Sequence, residues 1–247
     1  MSIVVTRDAA VLTIRIDRPE KKNALTIAMY RSMIEAIASA EGDDAIRAIA
    51  IVGSPTVFSA GNDLGDFTKA ATGGGDILAP LQFLQALSAA HKVVVAGVAG
   101  LAIGIGTTLL LHCDLAYASP GARFRTPFVD LGLTPEAGSS LLLPQLMGHR
   151  GAAALLLAGE ELDAEGARAA GLVNAVVPDA TAAALDAARR MAARPVAALV
   201  ETKRLMKRSQ TEQIAETMRI EADVFAVRMR SPEAMAAFMA FSQKQRA

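Results

Sequence analysis

The stretch Val93–Leu111, VVVAGVAGLAIGIGTTLLL, decides how this chain folds, because its 19 residues carry no charge and admit two readings. A membrane-spanning helix needs about 20 apolar residues. Against a span, Val93–Val95 and Val98 are β-branched, and four glycines interrupt the run. The flanks His91-Lys92 and His112-Cys113-Asp114 are not interface anchors either. The pattern predicts a buried strand, a glycine turn and a buried helix. Gly104 and Gly106 free the backbone just ahead of the helix Thr107–Leu111, which Gly106 opens, so N–H groups there are placed to point at an oxygen.

Upstream, Ile3–Asp17 reads as two short strands joined at Arg7–Ala10, since VLTIRID has the period of two of a sheet with one wet face. Thr26 is placed to cap a helix whose Met29, Met33, Ile34 and Ile37 recur at helical spacing up to Gly42. Ile46–Gly53 suits a buried strand, and Phe58–Leu64, FSAGNDL, a tight turn after it. Asp66–Pro80, with Gly73–Gly75, has nothing to build a core from and reads as a mobile loop or frayed helix. Leu81–Ala90 is helical. Downstream, Asp114–Ala118 and Arg123–Arg125 read as strands, and Ser139–Met147, Arg150–Leu157 and Ala164–Ala170 as helices, with Gly159 and Gly171 as stops. From Thr181 the chain is almost wholly helical: Ala182–Ala193, Pro195–Ser209, Gln213–Arg230 and Pro232–Gln245. That shift sets an α/β core at 1–180 and a helical segment at 181–247.

A chain of 247 residues, 52% hydrophobic, is long enough for a sizeable core. Its 25 basic and 25 acidic residues leave no global field to draw it to nucleic acid or an anionic membrane. Any anionic ligand must be held locally. The single cysteine, Cys113, excludes an internal disulfide and reads as an inert buried thiol. The N-terminus lacks the layout of a signal peptide and Gln245-Arg246-Ala247 is not a peroxisomal address, so the expected location is the cytoplasm. His91, His112 and His149 form no spaced ligand set, which argues against a metal, and each reads as a surface or helix-end residue. The nucleotide and hydrolase signatures G-x-G-x-x-G, G-x-x-x-x-G-K-[ST] and G-x-S-x-G are missing.

What remains is chemistry carried by Pro127–Gly138, PFVDLGLTPEAG, where Glu136 stands alone among apolar residues, Pro and Gly. One isolated carboxyl beside two turns rich in free N–H groups points to proton transfer next to an activated carbonyl. The competing reading makes Glu136 a helix N-terminal carboxylate on Ala137–Leu143. Burial among Phe128, Leu131, Leu133 and Leu141 would raise its pKa.

In motif order the chain resembles the crotonase, or enoyl-CoA hydratase/isomerase, superfamily. The residues that carry this are Arg18-Pro-x-x-Lys-Asn23-Ala-Leu25, Phe58-Ser-Ala-Gly-Asn62-Asp63-Leu64, Ala96–Gly106, Cys113-Asp114-Leu-Ala-Tyr-Ala118 and Gly171-Leu-Val-Asn-x-Val-Val177. The resemblance implies an α/β fold with a core of ββα turns wound into a spiral, C-terminal helices that build homotrimers or dimers of trimers, and acyl-coenzyme A thioester substrates. Coenzyme A is then part of the substrate and no separate cofactor is implied.

The resemblance also implies an oxyanion clasp from the N–H groups of Asn62 and Ile105. Ala60, Gly61, Asp63, Leu64, Gly104, Gly106, Phe128 and Lys22 are implied around the substrate; Arg18 and Lys21 are further candidates for its phosphates. Asp63 reads as a brace for its own turn. Family hydratases use two glutamates, at the positions of Thr108 and Phe128 here. Glu136 instead falls where the Δ3,Δ2-enoyl-CoA isomerases of peroxisomal type carry theirs. The resemblance therefore implies an isomerase with Glu136 as sole acid/base. Hydration, with Asp63, Asp66 or Asp130 as second carboxyl, or a non-catalytic acyl-CoA-binding oligomer, are the alternatives.

Overall fold

Val93–Val98 is a strand, as its β-branched run predicts, and it lies inside a sheet with both faces buried. The structure is a computed structural model and describes residues 3–63, 65–66, 69, 76 and 78–244, with side chains through residue 240. The six-stranded sheet runs β1 (Ile3–Asp8), β2 (Val11–Ile16), β3 (Ala48–Val52), β5 (Val93–Val98), β7 (Leu115–Ala118) and β10 (Ala175–Val176). Only β1 is antiparallel to its neighbour; β3 lies parallel between β2 and β5, with Ile49 opposite Leu12 and Val94. A smaller sheet orders β4 (Val57–Ser59), β6 (Leu101–Ile103), β8 (Arg123–Arg125) and β9 (Leu162–Asp163).

The connectivity explains the two sheets. β3 turns into β4, β5 into β6 and β7 into β8, each pair placing one strand in the large sheet and the next in the small one. A helix or a long connection then returns the chain, which gives the ββα spiral expected above. The corners leave little room: a Cβ on Gly100, at φ 64°, would lie 1.8 Å from the Thr56 carbonyl oxygen. Only glycine fits there.

One face of the large sheet packs on α1 (Ile27–Gly42) and α2 (Ala79–Ala89), burying Ile14, Ile49, Ile51, Tyr30, Met33 and Phe83. Full burial of side chains of this size contributes about 1.5–3 kcal/mol each. Thr26 caps α1 as predicted, accepting the Met29 N–H at 3.3 Å. The other face is lined by Ala48, Ala50, Val52 and Val95 and covered by the alanines of α6 (Ala180–Ala192). Small residues on both sides allow close approach, and Gly97 lies against the Ala180 carbonyl.

Four short strands escaped the sequence reading: β4, whose Phe58 and Ser59 it placed in a turn, and β6, β9 and β10. The helix after Gly104 also starts earlier than expected. It is α3, Ile105–Thr108, continuing as a 3-10 turn through His112, with Gly104 as its N-cap. Further on come α4 (Ser139–Leu156), broken at Gly148 near the predicted gap, and α5 (Ala164–Ala169). The C-terminal helices are α6, α7 (Val196–Lys207), α8 (Thr211–Met229) and α9 (Pro232–Lys244). A buried ion pair ties α7 to the core: Lys203 Nζ donates to Asp114 at 2.7 Å and to the Lys92 carbonyl at 2.7 Å. Asp114 also accepts the Val94 N–H at 2.8 Å. Breaking such a pair strands a buried charge.

Candidate active site

The first glycine turn follows β4, and a single asparagine sets its shape. The fully buried Asn23 amide donates to the carbonyls of Val57 and Phe58 at 2.9 and 3.1 Å, while its own oxygen accepts the Arg18 N–H at 2.7 Å. Ser59 Oγ donates to the Asn23 carbonyl and accepts the Gly61 N–H. The Ala60 N–H donates to Lys22 O, and the Asp63 N–H to Leu25 O. Ala60, Gly61 and Asp63 have thus spent their N–H groups. Among the described residues, Asn62 has not.

The second turn precedes α3. Gly104, at φ 56°, donates to the Arg125 carbonyl at 2.8 Å, and its own oxygen receives the N–H groups of Thr107 and Thr108. Ile105, first in the helix, has no acceptor for its N–H among the described residues. The two turns touch. A Cβ on Gly106 would lie 2.8 Å from Ser59 O, and one on Gly61, at φ 89°, 2.9 Å from Ile103 O. Gly106 therefore serves close approach rather than opening the helix.

Glu136 stands between these turns and α4, preceding two left-handed residues, Ala137 at φ 66° and Gly138 at φ 68°. Its carboxylate accepts a hydrogen bond from the Thr108 hydroxyl, one helical turn beyond Ile105. It does not cap α4. That role falls to Glu221 of α8, whose carboxylate accepts the Gly138 N–H at 2.6 Å, the Ser140 N–H at 2.9 Å and the Ser140 hydroxyl at 2.5 Å. Burial pushes the Glu136 pKa up to about 8, and the Glu221 charge adds to the rise while the Thr108 hydrogen bond opposes it. Burial also raises Glu221, against the hydrogen bonds from Ser140 and Gly138.

Glu136 lines a cavity of about 330 Å³ between α1, α2 and α8, in the size range of ligand sites. Tyr30 and Asn62 share its wall, and the Tyr30 hydroxyl lies 2.6 Å from Asn62 Oδ1. Burial and then the Glu136 charge raise the Tyr30 pKa well above 10, so the phenol keeps its proton. Sequence reasoning missed Tyr30, Glu221 and the α8 wall. It also took Thr108 only as a place where a glutamate is lacking, not as a partner of Glu136.

Other expectations divide. Asp63 braces its turn as read, accepting from Gly65 N–H, Asp66 N–H and Arg18 at 2.7 Å. Burial pushes its carboxyl up, but Arg18 and the two amides outweigh it, and the net pKa lies below the ordinary value. Arg18 is thereby engaged on protein. Lys22 is exposed at φ 50°, and it is its carbonyl that supports the turn. Phe128 is not on the cavity wall: it packs with Leu133, Leu143, Leu155 and Phe238, because the 3-10 turn Val129–Leu131 carries that segment under α9. The dry surroundings expected of Phe128 and Leu133 are supplied instead by the wall residues Leu25, Tyr30, Ala137 and Met218. Leu64, and most of the loop read at Asp66–Pro80, lie outside the described residues.

Asp130, a candidate second carboxyl, is paired with Arg125 at 2.7 Å. Asp66 reaches the cavity wall but accepts the Ile27 N–H at 3.0 Å. Cys113 is free, and burial pushes its thiol up to about 12. His112 ends its helical turn as expected yet is buried; burial pulls its imidazole down to about 4, and a ring nitrogen bonds the Ala137 carbonyl. Among the described residues no cluster of His, Cys, Asp and Glu is arranged to hold a metal ion, and no helix is long and apolar enough to cross a membrane.

A family model described as enoyl-CoA hydratase/isomerase matches residues 6–247. The chain belongs to the enoyl-CoA hydratase/isomerase family. Rat enoyl-CoA delta isomerase 2 is 36% identical over 97% of this chain, which spans only 63% of the rat protein. The 2,3-dehydroadipyl-CoA hydratase of Escherichia coli K12 is 32% identical, with 98% of this chain and 96% of that one covered. Among solved structures, Pseudomonas aeruginosa OdaA superposes with a TM-score of 0.93 at 46% identity, covering 97% of this chain and 98% of the other. The crotonase fold is thus established, and relatives bearing isomerase and hydratase names both lie within reach of this enoyl-CoA hydratase/isomerase family member.

Proposed function

We propose that the chain moves the double bond of a 3-enoyl-CoA thioester to the 2-trans position, with Glu136 as the single acid/base. The observation that carries this reading is one cavity-lining carboxyl pushed to a pKa of about 8, while Thr108 and Phe128 hold the places of the hydratase carboxyls. A base with a pKa near the working pH takes a weakly acidic proton well.

In the proposed step Glu136 removes a proton from C2, and the electron pair moves onto the thioester oxygen as a dienolate. The unspent N–H groups of Asn62 and Ile105 hold that oxygen, each supplying about 3–4 kcal/mol if they act as oxyanion donors do elsewhere. Glu136 then returns the proton to C4, and the double bond rests between C2 and C3. Atoms balance with no other reactant. The Thr108 hydroxyl keeps the carboxylate oriented through both transfers.

Hydration needs a second proton carrier. Asp66 is the described wall carboxyl closest in sequence to the Asn62 turn, and it is held by the Ile27 N–H and by Lys69 at 3.8 Å. The deciding assay supplies purified protein with 3-enoyl and 2-enoyl thioesters. Conjugation that appears from the 3-enoyl compound and vanishes in Glu136→Gln upholds the isomerase; water addition to the 2-enoyl compound, untouched by that substitution, replaces it with the hydratase. The same reading has three chains, or two sets of three, assemble. An uncovered apolar row on α8, Ile220, Val224 and Val227, supports association, and light scattering measures it.

A further inference from the structure

The cavity beside Glu136 has two chemically distinct kinds of wall. Leu81 and Leu84 of α2 face Met218, Phe225 and Met229 of α8 across it, with Leu25 alongside. No cation stands among these side chains. The ionised groups on the wall apart from Glu136 are three aspartates, Asp66, Asp76 and Asp223, and one arginine, Arg219.

The arginine is committed. Its guanidinium bonds Glu216 at 2.7 Å and Asp223 at 3.0 Å, and it stands more than half exposed at the rim. Asp66 and Asp76 have about a quarter of each side chain exposed. Asp76 is held charged by Arg31 at 2.9 Å.

We propose that the cavity takes the acyl tail of the thioester, that it accepts uncharged hydrocarbon tails, and that it turns away tails ending in a carboxylate. This rests on the acyl-thioester reading above. A terminal carboxylate drawn between Leu84 and Met218 would lose its water, with no uncommitted cation among the described wall residues to replace it. Asp66 and Asp76 would add like-charge repulsion. A hydrocarbon tail meets neither cost, and each methylene it buries is favourable by about 0.8 kcal/mol. The chemistry thereby separates this site from one built for dicarboxylic acyl groups.

The experiment is calorimetric titration of the whole chain with two saturated six-carbon thioesters of coenzyme A, one ending in a methyl group and one in a carboxylate. Neither can be isomerised or hydrated, so binding is read apart from turnover. The methyl-ended thioester is expected to bind at least about tenfold more tightly, since a specificity ratio of this kind is a difference of desolvation costs. Asp66→Asn and Asp76→Asn should each narrow the ratio by weakening rejection of the charged tail; the amide introduced by Asp66→Asn keeps an oxygen for the Ile27 N–H. Equal or tighter binding of the carboxylate-ended thioester overturns the proposal. Binding of neither removes the acyl-thioester reading and this proposal with it. Binding of the methyl-ended compound by a protein that fails to conjugate 3-enoyl substrates upholds the tail assignment while the isomerase reading falls.

Discussion

Two carboxyl groups flank the site and are treated oppositely by their surroundings. Asp63 sits in a turn that surrounds it with Arg18 and two backbone amides, and its pKa falls below the ordinary value. Glu136 sits against apolar wall with one hydroxyl donor and a second carboxylate nearby, and its pKa climbs to about 8. Burial works against charge at both. The difference is a cation and the depth of burial. Asp63 is only partly buried and paired with Arg18, whereas Glu136 is more deeply buried with one neutral donor. Glu221, which has three neutral donors but no cation, is raised as well.

The widest gap between the two should appear in turnover. Glu136→Gln is expected to lower kcat at least about 10³-fold, as loss of an essential acid/base does, with thioester binding retained. Asp63→Asn should leave most of the rate. Wild-type activity should rise with pH until about 8 and then level, because the base must be ionised. A flat profile, or equal losses in the two variants, would erase the distinction.

Stability should divide the pair next. For Glu136 the folded-state pKa is above the unfolded value, so its contribution is fully present below about 4.5 and is lost as pH rises through about 8. The loss should amount to at most roughly 5 kcal/mol, read from denaturant midpoints of wild type against Glu136→Gln across that window. For Asp63 the sign reverses: the folded-state pKa is depressed, so its contribution is present above the unfolded value and fades as pH falls through the folded one. Asp63→Ala should cost about 1–3 kcal/mol at neutral pH by stranding Arg18, and less in strong acid.

The finest test adjusts the surroundings of Glu136 itself. Thr108→Val removes the one donor to Glu136 and should move the pH midpoint of the rate upward. Glu221→Gln removes a repelling charge and should move it downward. Two shifts of the same sign would mean that the two substitutions act by changing the burial of Glu136 rather than through the hydrogen bond and the charge they remove.

Much of this was legible in the sequence, for identifiable reasons. Val93–Val98 and Arg123–Arg125 were readable as strands because β-branching and alternation are local properties, and Thr26 as a cap because its neighbours supply the apolar spacing. Leu101–Ile103 was not, since three residues between glycines carry no period and become a strand only by pairing with Val57–Ser59 and Arg123–Arg125. At the site, Glu136 stood out by isolation. Glu221 had no such signal. In the run ETMRIEAD it looks like one more solvated acid, and its partners lie 81 and 83 residues away. Tyr30, amid Met29 and Met33, looks like core, which it is, except for the hydroxyl at its tip.

The reach of Glu221 limits how this catalyst can be rearranged. Because α8 furnishes the cavity wall and also closes the start of α4, a chimera that borrows its last helices from another family member inherits that member's choice of residue at this one position. A hydrocarbon side chain there would open the α4 amides and let the neighbouring base drift back toward an ordinary acid. The rear of the chain therefore adjusts the reactivity of a group encoded far ahead of it, and the two are not independent parts.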